Sequence, residues 1–343
     1  MTHITYMERA LELAAEGREW VSPNPMVGCV IVHDGKIIGE GFHQKYGHAH
    51  AEVNAIQNVA DKTLLPESIV YVTLEPCSHF GKTPPCTELL IRHRVKKVVI
   101  CNPDPFPEVA GRGIARLQAA GIATETGILA EKGEELNKRF FKVHRTGLPY
   151  VILKWAETAD GFISGPEGAQ RKISNSVTDL DVHRWRAEED AILIGKNTLL
   201  NDNPRLNVRH WTDHKQPVRV VLASGVDSSV HRHIFDHSQK TLIYNREISK
   251  TEGNTEYIAT TALRDILLSL REKGINSLLV EGGLKIHTSF IQQQLFDEIR
   301  VIKSSILMNN GTPARTLPPG IVLKKNKRIL NDQLFFYRTI PTF

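Results

Sequence analysis

At 343 residues, with 41% hydrophobic and 24% charged side chains, the chain has an ordinary globular composition and is long enough for two cores at about 100–200 residues per domain. No apolar run approaches the ~20 residues of a membrane span, so no membrane partner is expected, and the stretch Met1 to Thr5 lacks a basic segment followed by an apolar one, which points to the cytoplasm. The net charge of +5 is spread along the chain, which argues against nucleic acid and suits phosphorylated small molecules, and four cysteines are too few for a disulfide framework.

In chain order, apolar periodicity predicts a helix over Tyr6–Ala15, then a strand over Val27–Val32 that turns at His33-Asp34-Gly35 into Lys36–Phe42 as a hairpin. His50 to Val59 has helical spacing, Ser68–Leu74 reads as a strand, Pro85–Ile91 as a helix and Val98–Cys101 as a strand. Ile114–Ala120 is helical, Ile122–Thr126 a strand and Leu129–Val143 one helix. Gly147 and Pro149 then break the pattern, which sets the boundary between domains 1–146 and 147–343. Beyond it, strands are predicted at Tyr150–Trp155, Ala191–Ile194, Val218–Leu222, Thr241–Tyr244, Leu278–Val280 and Ile299–Lys303, with helices at Val182–Ala187, Ala262–Lys273 and Lys285–Gln294. Such alternation predicts an α/β protein whose mixed or parallel sheets are covered on both faces.

The chemistry concentrates in His50-Ala51-Glu52, Pro76-Cys77 and Pro85-Cys86. One histidine and two cysteines hold zinc by three protein ligands and leave the fourth tetrahedral position for water, which zinc acidifies from 15.7 toward roughly 7. Glu52, two residues after the histidine, is placed to move that water's proton, and H-x-E followed by P-C and a second Cys is the signature of zinc deaminases. A closed structural zinc site is the competing reading, with His48, His79 or Cys101 as fourth ligand. Cys29 and Cys101 lie in apolar runs and read as core thiols.

The segment Thr73-Leu74-Glu75-Pro76-Cys77-Ser78-His79-Phe80-Gly81-Lys82-Thr83-Pro84-Pro85-Cys86, with eight residues between the cysteines, resembles the bifunctional riboflavin-biosynthesis deaminase/reductase family. So do Pro23-Asn24-Pro25, Gly41-Phe42-His43, Val109-Ala110-Gly111-Arg112-Gly113, Asp202 to Arg209 and Val280-Glu281-Gly282-Gly283. The resemblance implies a cytidine-deaminase-like three-layer α/β/α domain followed by a dihydrofolate-reductase-like α/β domain. It implies zinc-dependent deamination of a diaminopyrimidinone ribosylamine 5′-phosphate, then NADPH reduction of its ribosyl group to ribityl. By motif position His50, Cys77 and Cys86 would bind Zn2+, Glu52 would carry the proton, and Asn24, His43, His79, Lys82 and Asp104 would line the deaminase pocket, Lys82 meeting a phosphate. Ala156, Thr198, Asp202, Ser224 and Gly283 would contact NADPH, while Lys154, Arg186, Leu206, Arg209 and Glu281 would contact the second substrate, with Arg186 and Arg209 suited to its phosphate.

No G-x-G-x-x-G follows a strand, so the cofactor expectation rests on the resemblance, although Glu281-Gly282-Gly283 could bring backbone N–H groups to a phosphate. The chain departs from the family at Phe106, where an Asn is usual, at Gln170 and Lys172, where Ser and Trp are usual, and at Asn203, where an acid is usual. Two other readings are a deaminase of another base or nucleotide with a non-reducing second domain, and a non-catalytic zinc-stabilised binding protein. A homo-oligomer is compatible with the sequence, which does not fix its order.

Overall fold

The computed structural model describes residues 2–78, 84–106, 110–211, 215–225 and 232–340. They form two compact units, Met1–Gly147 and Leu148–Phe343.

In the first unit, α1 (His3–Ala15) starts at Thr2, whose hydroxyl accepts the Thr5 N–H, and turns Tyr6, Met7, Ala10 and Ala14 inward. β1 (Gly28–His33) and β2 (Lys36–Phe42) form the expected hairpin. Its turn places Asp34 and Gly35 at φ 47 and 73, the left-handed pair that a two-residue hairpin requires. There follow α2 (Ala51–Gln57), β3 (Ile69–Leu74), α3 (Cys86–Arg92), β4 (Lys97–Asn102), α4 (Arg112–Ala119), β5 (Ala123–Thr126), α5 (Ala130–Leu136) and α6 (Lys138–Thr146).

The sheet order is β2-β1-β3-β4-β5, with β1 antiparallel to both neighbours and β3, β4 and β5 parallel. Cys29 and Ile31 face a core with Ala51, Ala55, Ile56, Leu90 and Leu117 from α2, α3 and α4. Val30 and Val32 face the opposite core with Tyr6, Met7 and Ala10 from α1. The two-residue alternation of β1 therefore builds three layers, α/β/α. Cys29 and Cys101 are fully buried in these cores.

The single helix expected over Leu129–Val143 is two helices, and the cause is a distant contact. At the joint, Asn137 (φ −101, ψ 23) leaves helical geometry. Its amide donates to Met26 O and accepts from Met26 N, both at 2.8 Å.

The second unit contains β6 (Tyr150–Glu157), β7 (Phe162–Ser164), α7 (Ser176–Glu188), β8 (Ala191–Gly195), α8 (Lys196–Asp202), β9 (Val218–Leu222), β10 (Thr241–Asn245), β11 (Lys250–Glu252) and β12 (Thr255–Ala259). It continues with α9 (Leu263–Glu272), β13 (Ser277–Val280), α10 (Leu284–Gln292), β14 (Glu298–Lys303), β15 (Thr312–Pro313), β16 (Ile321–Ile329) and β17 (Asp332–Thr339). Its main sheet runs β11-β12-β10-β9-β8-β13-β6-β14-β17-β16. The strands from β12 to β14 are mutually parallel, and β11 and the β17–β16 hairpin close the two edges antiparallel.

One face packs Val151, Leu153, Leu193 and Val280 against Leu263, Ile266, Leu270 and Phe290 of α9 and α10. The other face packs Tyr150, Ile152 and Leu279 against Val182 and Trp185 of α7. The expected helix over Val182–Ala187 is the second half of α7, which begins at Asn175, whose side chain accepts from Val177 N and Thr178 N. No helix among the described residues is long and apolar enough to cross a membrane.

Candidate functional site

His50 is the residue before α2, in extended conformation, and its ring makes no capping bond to the helix. Cys77 follows β3, and Cys86 is the first residue of α3, whose Cys86 N–H points at the Cys77 sulfur at 3.3 Å. His50 Nδ1 lies 3.6 Å from Cys77 Sγ and 3.3 Å from Cys86 Sγ, and the three donor atoms are all within 4.8 Å of one another. A tetrahedral zinc with its ordinary bond lengths holds an imidazole nitrogen and a thiolate about 3.6 Å apart. The donor set and its spacing therefore fit zinc.

A closed site needs a fourth donor, and neither His48 nor Cys101 joins the group among the described residues. Cys101 Sγ instead contacts Asn102 Oδ1 and Leu129 O. His79 and Lys82 lie outside the described residues.

The electrostatics of the metal-free donors follow from their contacts. The Cys86 thiol, the Cys86 N–H and His50 pull the Cys77 thiol down to about 4, against the effect of burial, whereas Cys86 itself is raised by Cys77 and by burial. His50 is raised to about 9 by its bond with the Cys77 sulfur. Glu52, 3% exposed, is raised by burial and lies against Cys86. A buried carboxyl lifted out of its usual range suits a group that both takes and gives protons.

Asn24 and His43 reach the same place. Asn24 Nδ2 lies 3.1 Å from His43 Nε2, His43 Nδ1 lies 3.0 Å from Ala49 O, and the His43 ring stands edge-to-face on His50 at 5.5 Å. The carbonyl fixes the proton on Nδ1, so Nε2 accepts from Asn24. Burial, helped by His50 and His48, lowers the His43 pKa and keeps the ring neutral.

Asp104 is held by its N–H, which donates to Glu75 Oε2 at 3.2 Å, and its own Oδ1 accepts from Phe106 N. Phe106 packs its ring on His144 at 5.2 Å, so packing occupies the position where an Asn was expected. Glu75 was not singled out from sequence. Its signal was an acidic residue ending an apolar strand, immediately before Pro76-Cys77.

In the second unit the expected cofactor residues gather at the C-terminal ends of four neighbouring parallel strands. Ala156 is near the end of β6, Thr198 lies in α8 directly after β8, Ser224 follows β9, and Gly283 precedes α10 after β13. This is where open parallel sheets bind ligands. A Cβ on Gly282 would come within 2.5 Å of Ile194 Cα, and one on Gly283 within 3.3 Å of Thr198 Oγ1. The glycines thus let the turn after β13 pack directly on the end of β8 and the start of α8, which brings backbone of the two strand ends together. Asp202 ends α8, its carboxyl raised by burial. Asn203, at φ 41, closes α8 in the left-handed conformation and accepts from His233 N, a task to which Asn is suited.

Lys154, Arg186 and Glu281 form one cluster. Arg186 Nε and Nη2 donate to the two Glu281 oxygens at 2.9 and 2.6 Å, with the two side chains 14% and 9% exposed. Burial works to raise the Glu281 carboxyl, but Arg186 and Lys154 overcome it and hold it at about 2. Lys154 is itself lowered by burial, against the pull of Glu281.

The Arg186 fork, expected to suit a phosphate, is engaged within the protein: its paired donors grip Glu281, and Nη1 goes to Asn207 O. Arg209 is an exposed guanidinium here, steadied through Nη1 by Asn207 Oδ1. Its N–H donates to His183 Nδ1, and burial with nearby Arg186 and Arg209 lowers His183 to about 4. His183 was not picked out from sequence. Leu206 is buried at φ 48, so its side chain is part of a core. Lys172 pairs with Asp179 at 3.0 Å.

Residues 1–102 match the family model for the cytidine and deoxycytidylate deaminase zinc-binding region, and residues 149–332 match the RibD C-terminal domain. The chain is 35% identical to the riboflavin biosynthesis protein RibD of Aquifex aeolicus over 97% of each chain. It is 40% identical to RibD of Bacillus amyloliquefaciens over 92% of this chain and 87% of that one. A Thermotoga maritima crystal structure of a diaminohydroxyphosphoribosylaminopyrimidine deaminase/5-amino-6-(5-phosphoribosylamino)uracil reductase superposes with a TM-score of 0.91 at 34% identity, covering 98% of both chains. A zinc-stabilised binding protein and a deaminase with a non-reducing second domain are set aside by these matches. With this identity over nearly its whole length and a donor triad that fits zinc, the chain belongs to the RibD family of bifunctional riboflavin-biosynthesis deaminase/reductases, enzymes that use Zn2+ and NADPH.

Proposed function

We propose that residues 1–146 remove the 2-amino group of 2,5-diamino-6-(5-phosphoribosylamino)pyrimidin-4-one and that residues 147–343 reduce the ribosyl group of the product to ribityl. The observation that carries the first half is the His50, Cys77 and Cys86 triangle with buried Glu52 against it. Zinc, which His50, Cys77 and Cys86 would hold, would lower the pKa of the attacking water so that hydroxide is available at neutral pH. Glu52 would take one proton from the attacking water and place it on a ring nitrogen, then move the second, from the newly added hydroxyl, to the amine, which leaves as ammonia as the C–N bond breaks and the carbonyl forms. Neutral His43, oriented by Asn24 and Ala49, and Asp104, oriented by Glu75, line the substrate side. By motif position His79 and Lys82, which lie outside the described residues, would contact the same substrate.

For the reduction, Ala156, Thr198, Asp202, Ser224 and Gly283 would hold NADPH, which supplies the hydride. Glu281, kept ionised and oriented by Arg186, with Lys154 beside it, would fix the sugar, while Arg209 would meet the phosphate and Leu206 would shape the wall. The proposal includes a cytoplasmic location and small-molecule partners without nucleic acid.

Glu52→Gln and Asp202→Ala separate the two halves. Glu52→Gln should keep zinc, lose roughly 10² to 10⁴ in ammonia release, and still oxidise NADPH with the deaminated substrate. Asp202→Ala should do the reverse. Parent-rate ammonia release from Glu52→Gln would remove Glu52 from its role.

A further inference from the structure

We propose that Glu75 is a positioning residue for deamination: its carboxylate fixes the segment bearing Asp104 relative to the zinc ligand Cys77. Glu75 is 3% exposed, and a carboxylate withdrawn from water needs its lone pairs satisfied. Here four backbone N–H groups do so. Oε2 accepts from Asp104 N at 3.2 Å and Gly111 N at 3.0 Å, and Oε1 accepts from Gly113 N at 2.9 Å and Ile114 N at 3.2 Å.

Three of those donors belong to the start of α4, where N–H groups lack intrahelical partners and the dipole favours an anion. The fourth belongs to Asp104, just beyond β4 and on the other side of residues 105–110. One side chain therefore ties both ends of that segment to a point two residues before Cys77. The Glu75 N–H, bonded to Asn102 O at 3.0 Å, fixes residue 75 itself to the end of β4. Gly113 is what allows the close approach, since a Cβ there would lie 2.2 Å from Pro76 O. Glu75 is not one of the metal donors, so it acts through the loop and not on the metal.

A glutamine at 75 keeps one acceptor oxygen but turns an NH2 toward N–H groups, opposing about half of this grip. The inference rests on the reading of Asp104 as a substrate contact, so Glu75→Gln, Asp104→Ala and the double variant are assayed together in the full-length, zinc-loaded protein. The readouts are kcat and KM for ammonia release, zinc content, and NADPH oxidation with separately supplied deaminated substrate. Expected for Glu75→Gln are a KM raised about tenfold, kcat within about threefold, and zinc content and NADPH oxidation equal to the parent's. The double variant should be no worse than Asp104→Ala, because Glu75 acts through that residue.

A rise in KM for Asp104→Ala but not for Glu75→Gln, or additive losses in the double variant, overturns the role of Glu75 alone. An unchanged KM for Asp104→Ala overturns the underlying reading as well. A measurement on the unmutated protein guards against a variant that fails to fold. The amide protons of Asp104, Gly111, Gly113 and Ile114 should exchange as slowly as those of β3 and β4, and fast exchange at these four overturns the proposal.

Discussion

Glu281 shows plainly the sign of one pH response built into the chain. Its ordinary value of 4.5 falls to about 2 in the folded protein because Arg186 and Lys154 face it. A depressed carboxylate contributes stability that is present above about 4.5 and is lost as pH falls toward 2, on the order of 3 kcal/mol. The stability advantage of the parent over Glu281→Gln, measured by denaturant unfolding, should therefore shrink as pH drops through that window. A constant difference from pH 6 to pH 2 would contradict the charged pair.

At the proposed metal donors, the bond with the Cys77 sulfur raises His50 to about 9, Cys77 and burial raise Cys86, and Cys86 with His50 lowers Cys77 to about 4. Zinc binds the deprotonated groups, so its affinity should weaken on acidification, with log affinity against pH rising by about one to two per unit near neutrality. Titration with a zinc-competing chelator between pH 6 and 8 measures that slope, and a slope of zero would count against the donor assignment. The donors themselves were legible in the sequence because a His, two Cys and a Glu at those spacings have few other uses. Glu75 was not, because its four partners are backbone N–H groups, which carry no residue-type signal. Nor was the capture of the Arg186 fork by Glu281, 95 residues away.

Elements with strong periodicity were readable for the same reason that they are stable: alternation in β1 divides Cys29 and Ile31 from Val30 and Val32 across two cores. Where tertiary contacts decide, the pattern misleads. The break between α5 and α6 exists because Asn137 pairs with both backbone groups of Met26, 111 residues away, and no local signal predicts it. The β16–β17 hairpin went unread because Lys324 to Arg328 is exposed and shows no apolar alternation. Asn137→Ala would leave the Met26 N–H and C=O buried without these partners, and each such group costs about 1–3 kcal/mol. Chemical denaturation of this variant should show a loss of at least about 2 kcal/mol, and a loss below about 0.5 kcal/mol would mean that the joint does not depend on this pair.

Over the whole molecule, each unit buries its own cores and carries its own constellation: a donor triad with a buried acid in Met1–Gly147, and a Lys–Glu–Arg cluster beside the closely packed Gly282-Gly283 turn in Leu148–Phe343. The central claim is that these are two chemistries with separate requirements. It is tested most directly by removing zinc from the intact protein and assaying both steps, each with its own substrate. The zinc-free protein should release no ammonia from the diamino substrate, yet should still consume NADPH with the deaminated substrate, seen as loss of absorbance at the reduced-nicotinamide band with formation of the ribityl product. Adding Zn2+ should restore ammonia release and leave the NADPH rate unchanged. Loss and recovery of both activities together, or ammonia release that survives complete zinc removal, would contradict the account.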